Sequence, residues 1–168
     1  MPEKACLAGV LLIAPLILLS SGTAAARDTD YIVVGAGWYD ALSEETAASF
    51  RLEFRSGHDM IWGIKPFAGL MATSGASVYG YGGICRDFDV GNRIVLTVNW
   101  AVGAFDEGNG KDLGGVAEFR LGGEVAYRFD NKVRLGVTFY HLSNANTANH
   151  NPGVEVLGAF LSYPLSGG

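Results

Sequence analysis

Cysteine is scarce here: two in 168 residues, and one of them, Cys6, lies inside an apolar leader. Cys85 is then left without a partner, which excludes a disulfide-stapled extracellular scaffold. A basic surplus is missing too. With a formal net charge of -5 the chain has no cationic stripe to follow a phosphate backbone, so nucleic acid is not an expected partner. Beyond the leader, no apolar run is long enough to cross a bilayer as a helix. Cofactor signatures are also wanting. His58 and His150 lack Cys or carboxylate neighbours at metal-ligand spacing, and the run 106–112 resembles a calcium loop in composition without the trailing Glu. The glycine pairs at 82–83, 114–115 and 122–123 open no helix after a strand, so they are not phosphate loops. No metal or cofactor is expected.

What is present begins with the leader. Lys4, an apolar stretch over 5–19 and the small residues ending in Ala26 read as a secretory signal peptide, cleaved after Ala26. The remaining residues, 27–168, suit a single exported domain.

That domain alternates almost throughout. Over 46–55, Ala48, Phe50, Leu52 and Phe54 share one face while Ser49, Arg51, Glu53 and Arg55 share the other. A period of two is the mark of a strand. The pattern repeats over 93–103 and 116–129, and the non-apolar face carries both signs of charge among many glycines. Strands are expected near 31–40, 46–55, 61–73, 76–86, 93–104, 113–129, 133–143 and 153–164. Two architectures fit high apolar content without helical spans: a soluble β-sandwich and a membrane barrel. Apolar faces ending in aromatics (Trp38, Tyr39, Phe54, Trp100, Tyr127, Phe129 and Tyr140) resemble interfacial girdles, and the Arg/Glu faces suit a narrow lumen. The expected fold is therefore all-β, an eight-stranded antiparallel transmembrane β-barrel of the bacterial outer membrane. An even strand number closes it without free edges.

The last hairpin carries chemistry. His141 and Ser143 lie two apart, so they project to one side, shared with Leu135, Val137 and Phe139. Glu155 shares parity with Leu157 and Leu161 on the next strand, which an antiparallel pairing brings opposite. A base, a hydroxyl and a carboxylate on one lipid-facing patch are the components of a Ser-His-acid hydrolase. The plain alternative is three polar residues at a membrane edge.

The run His141-Leu142-Ser143-Asn144-Ala145, followed by Asn151-Pro152-Gly153 and Glu155, resembles the signature of the outer-membrane lipid A 3-O-deacylases of the PagL type. That resemblance implies Ser143 as nucleophile, His141 as general base and Glu155 as orienting acid. The implied substrate is the ester-linked acyl chain at the 3-position of lipid A in lipopolysaccharide, hydrolysed without cofactor. Asn144 and Asn151 match family asparagines and are candidates for loop positioning or for an oxyanion donor. The implied location is the cell outer membrane, with membrane lipids as neighbours. Oligomeric state stays open, a homodimer included. The chain departs from common barrels in ending Tyr163-Pro164-Leu165-Ser166-Gly167-Gly168 rather than on an aromatic residue. A non-catalytic barrel with a structural or binding role is the alternative function.

Overall fold

Residues 29–43 and 46–165 are described by a computed structural model. The expected leader over 1–26 and its cleavage point lie outside them. Eight strands follow in order: β1 (Tyr31–Tyr39), β2 (Ala47–Arg55), β3 (Ile64–Thr73), β4 (Val78–Val90), β5 (Ile94–Asp106), β6 (Ala117–Arg128), β7 (Arg134–Ser143) and β8 (Val154–Pro164). Each pairs antiparallel with its sequence neighbour, and β1 pairs with β8, closing the barrel. Closure leaves no sheet edge unpaired, which hydrocarbon demands.

Alternation decides which side chains meet lipid. Phe50, Leu52, Leu70, Val98, Leu121 and Val137 are among many large apolar residues exposed on the outer wall. So continuous an apolar surface is foreign to a water-soluble monomer and native to a membrane span. The inner wall is polar and filled. Glu53 accepts hydrogen bonds from Tyr81 (2.7 Å), Arg120 (2.7 Å) and Arg55 (2.6 and 3.1 Å), while Glu124 accepts from Arg51 (3.2 Å) and Arg55 (2.7 and 2.8 Å). Three arginines face two glutamates, and the excess cation is met by aromatic faces. The Arg120 guanidinium lies 4.0 Å from the Tyr140 ring centroid and 5.1 Å from that of Tyr81.

Several sequence expectations need correction. Tyr39 and Tyr140 belong to no outer girdle; both are buried inside the barrel. Their positions at strand ends suggested the interface, but parity sends them inward. Strand β3 starts at Ile64 rather than Ile61, because Trp62 and Gly63 take positive φ (53° and 76°) and fold into a turn. Strand β4 runs on past Arg86 to Val90, and β6 begins at Ala117 rather than Leu113, whose side chain joins the buried cluster and whose carbonyl accepts from Asn144 instead of a strand partner.

The two ends differ. One end holds the connections 56–63, 91–93 and 129–133 together with the start of β1 and the finish of β8 (the turn end). The other holds 40–46, 74–77, 107–116 and 144–153 (the loop end). The hairpin singled out above opens at the loop end.

Candidate active site

Strands β7 and β8 place the three candidate residues. Tyr140 and Leu142 are buried in the barrel interior, so His141 between them must point out. Val154 and Val156 do the same for Glu155. The register sets His141 directly opposite Glu155. Their side chains meet on the outer wall, with His141 Nδ1 3.1 Å from Glu155 Oε1, and both are partly solvent-exposed (45% and 30%). Such an exposed pair adds little stability, about 0–1 kcal/mol. Its consequence is chemical: a carboxylate on Nδ1 favours the tautomer that leaves Nε2 as an acceptor.

Ser143, the last residue of β7, lies on the same outward side one pleat beyond His141 and opposite Phe119. No hydrogen bond joins its hydroxyl to the imidazole. Catalytic contacts of this kind commonly tighten only around substrate. An imidazole oriented by a carboxylate beside a serine hydroxyl can act as general base toward that hydroxyl.

The asparagines divide. Asn144 is fully buried, and its amide nitrogen donates to the carbonyls of Leu113 and His150, each at 2.7 Å. Its backbone N–H donates to Asn151 Oδ1 at 3.0 Å, and its carbonyl accepts from the Thr147 backbone N–H at 3.0 Å and hydroxyl at 2.7 Å. With both side-chain N–H groups consumed, Asn144 ties the 107–116 loop to the 144–153 loop and offers no side-chain donor to an oxyanion. The amide nitrogen of Asn151 is far less committed, its one hydrogen bond among the described residues being to Asn146 Oδ1 at 3.4 Å.

One determinant escaped the sequence reading. Pro152-Gly153 reads in sequence as part of the hairpin turn, yet the imidazole rests on Gly153. A Cβ there would come within 2.6 Å of His141 Cε1 and 3.1 Å of Nε2, and Gly153 has φ of 60°. Only glycine satisfies both demands. Gly153→Ala is expected to swing the imidazole off its position and lower kcat about a hundredfold with KM little changed. Steady-state kinetics on a refolded variant checks this; an unchanged kcat would remove Gly153 from the positioning set.

Among solved structures, the chain is similar to the crystal structure of the outer membrane enzyme PagL, at 21% identity and a TM-score of 0.61, covering 80% of this chain and 99% of that one. It is also similar in fold to a de novo designed transmembrane β-barrel, at 10% identity and a TM-score of 0.62, covering 84% of this chain and 98% of the design. At these identities the likenesses establish the fold. No curated protein matches the chain. The family model described as lipid A 3-O-deacylase (PagL) matches residues 32–164, nearly the whole barrel, and the chain belongs to that family.

Proposed function

We propose that this protein is an outer-membrane esterase that removes the ester-linked 3-position acyl chain of lipid A, using Ser143, His141 and Glu155. The 3.1 Å His141–Glu155 contact on the lipid-facing wall carries the reading. A histidine and a carboxylate placed there face desolvation unless they pair with each other or serve a reaction. The two longest connections, 107–116 and 144–153, lie at the loop end, which supports a reading with that end outside the cell. Residues 1–26 would direct export, and 27–168 would form the barrel.

In this scheme the Ser143 oxygen attacks the ester carbonyl as His141 Nε2 takes the hydroxyl proton. The Glu155 carboxylate at Nδ1 balances the imidazolium. Collapse of the tetrahedral adduct breaks the bond to the sugar oxygen, which leaves with the proton from His141. A water molecule, deprotonated by the same nitrogen, then cleaves the acyl-serine and releases the fatty acid. The side-chain amide of Asn151 is the candidate donor to the oxyanion, where one such hydrogen bond is worth about 3–4 kcal/mol. Asn144 acts one step removed, holding Asn151 in place.

Substrate lipid lies in the leaflet beside the triad, so no pocket has to enclose it. Phe139 and Leu157, paired across β7 and β8, present an apolar track below His141 on which an acyl chain can lie. Purified protein mixed with lipopolysaccharide in detergent micelles should release one hydroxy fatty acid per lipid A. Ser143→Ala, folded equally well by heat-dependent gel migration, should release none. Lipid A of unchanged mass after incubation with the wild type would instead favour a structural barrel.

A further inference from the structure

The strand arginines follow a rule with one exception. Arg51, Arg55, Arg120, Arg128 and Arg134 all project inward, and each has a carboxylate within 3.2 Å. Arg86 projects outward between Ile84 and Phe88 and has no carboxylate partner among the described residues. Its guanidinium lies 4.9 Å over the Phe88 ring, leaning toward the turn end. An unpaired arginine on a lipid-facing wall is costly at the bilayer centre, by an amount that vanishes at the interface. The lean toward the turn end is the direction a snorkelling side chain takes.

A second oddity sits beside it. The connection 56–63 is the longest at the turn end, and its tip is apolar: Met60, Ile61 and Trp62 are all strongly exposed. The tip is not slack. Asp59 accepts the Gly63 N–H at 3.0 Å, Ile64 donates to the Ile61 carbonyl at 3.0 Å, and Met60 donates to the Ile64 carbonyl at 2.9 Å. Trp62 is held at φ 53°, a conformation that bulky side chains adopt only when their surroundings impose it. Exposure of the indole is thus built in, and the site adjoins Arg86, whose Nε would lie 3.8 Å from a Cβ at Gly63. A shallow apolar groove of about 330 Å³ runs from there across the outer wall, lined by Ile64, Ile84, Phe88, Val98, Trp100 and Leu121.

We infer that this patch is a binding site for one anionic phospholipid of the leaflet at the turn end. Arg86 holds the phosphate, an acyl chain lies in the groove, and the 60–62 tip inserts beside the headgroup as an interfacial anchor. An unpaired cation, an interfacial indole and a groove continuous with the lipid-facing belt fit a phospholipid and no soluble partner. Arg86 and the 60–62 tip lie toward the turn end, while the far end of the groove reaches Leu121, the register partner of His141. The test reads lipid contact at Trp62 alone, so its outcome is distinguishable from that of the esterase reading.

The test uses the full barrel in phosphatidylcholine vesicles containing brominated phosphatidylglycerol or brominated phosphatidylcholine. Subtracting the emission of Trp62→Phe from that of the wild type isolates the Trp62 signal. Brominated lipid should quench it, with the anionic lipid favoured about fivefold, the effect of one surface arginine. Arg86→Leu should bring the ratio to about one and Arg86→Lys should keep most of it. Inorganic phosphate in the buffer should change neither. Quenching of Trp62 by aqueous iodide in place of brominated lipid would overturn the proposal. So would an undiminished ratio in Arg86→Leu, or loss of the preference on adding phosphate. Should Arg86→Leu fail to fold, Arg86→Gln answers the same question.

Discussion

Exchanging Glu155 for Gln is expected to lower kcat by about three to four orders of magnitude while leaving the barrel as stable as before. The substitution keeps size and shape. What changes is the partner seen by His141 Nδ1, which lies 3.1 Å from the carboxylate oxygen. An amide can turn its N–H toward that nitrogen, favouring the tautomer with the proton on Nε2. The nitrogen that must accept the Ser143 proton is then already protonated, and the imidazolium of the transition state has lost its counter-ion. His141→Asn removes the base outright and should be more damaging, roughly 10⁵–10⁶ in kcat. In neither case should the thermal midpoint move much, because the pair is half-exposed and such ion pairs contribute about 0–1 kcal/mol. Turnover of lipopolysaccharide set beside heat-dependent gel migration separates the two effects. A Glu155→Gln variant of near wild-type rate would make the carboxylate an interfacial bystander.

The opposite dissociation is expected inside the barrel. Glu53 is 1% exposed and accepts from Arg55, Arg120 and Tyr81. Glu53→Ala leaves the fully buried Arg120 with Glu124 at 4.0 Å as its nearest carboxylate. Removing one member of a buried charge network costs about 3–5 kcal/mol, chiefly because the abandoned cation stays desolvated. The barrel should unfold at distinctly lower urea or temperature. Below the new midpoint, turnover should stay within a few-fold of wild type, since Glu53 faces the lumen and the triad faces lipid. Urea titration followed by tryptophan emission measures the loss. A shift below about 1 kcal/mol would mean that water or a shifted proton already relieves the network.

The contrast between these two carboxylates explains what could be read from the chain. Glu53 sits among Arg51 and Arg55 on the face opposite Phe50, Leu52 and Phe54, so its place in a polar lumen follows from a period of two. The outward direction of His141, Ser143 and Glu155 follows from the same period. Contacts that depend on closure do not. The seat of the imidazole on Gly153 needs the hairpin register and the left-handed turn together, and neither is written in residue types alone. The link from Asn144 to Leu113 joins loops 31 residues apart, which no local pattern can reveal. Ile61-Trp62 reads as strand by composition, three residues ahead of where β3 begins, whereas this exposed apolar tip is a turn. The expected fourth strand stops at Arg86, whereas β4 runs on to Val90 with Arg86 interrupting its apolar outer face. That interruption marks the one strand arginine that looks out.

The central claim is a serine nucleophile on the lipid side of the wall, activated by its neighbouring histidine. A membrane-partitioning alkyl fluorophosphonate added to reconstituted protein addresses it most directly, with the modified residue located by peptide mass. The account predicts phosphonylation at Ser143, parallel loss of fatty-acid release from lipopolysaccharide, and no labelling of His141→Asn. Full deacylation by protein labelled at Ser143, or by Ser143→Ala itself, would contradict it.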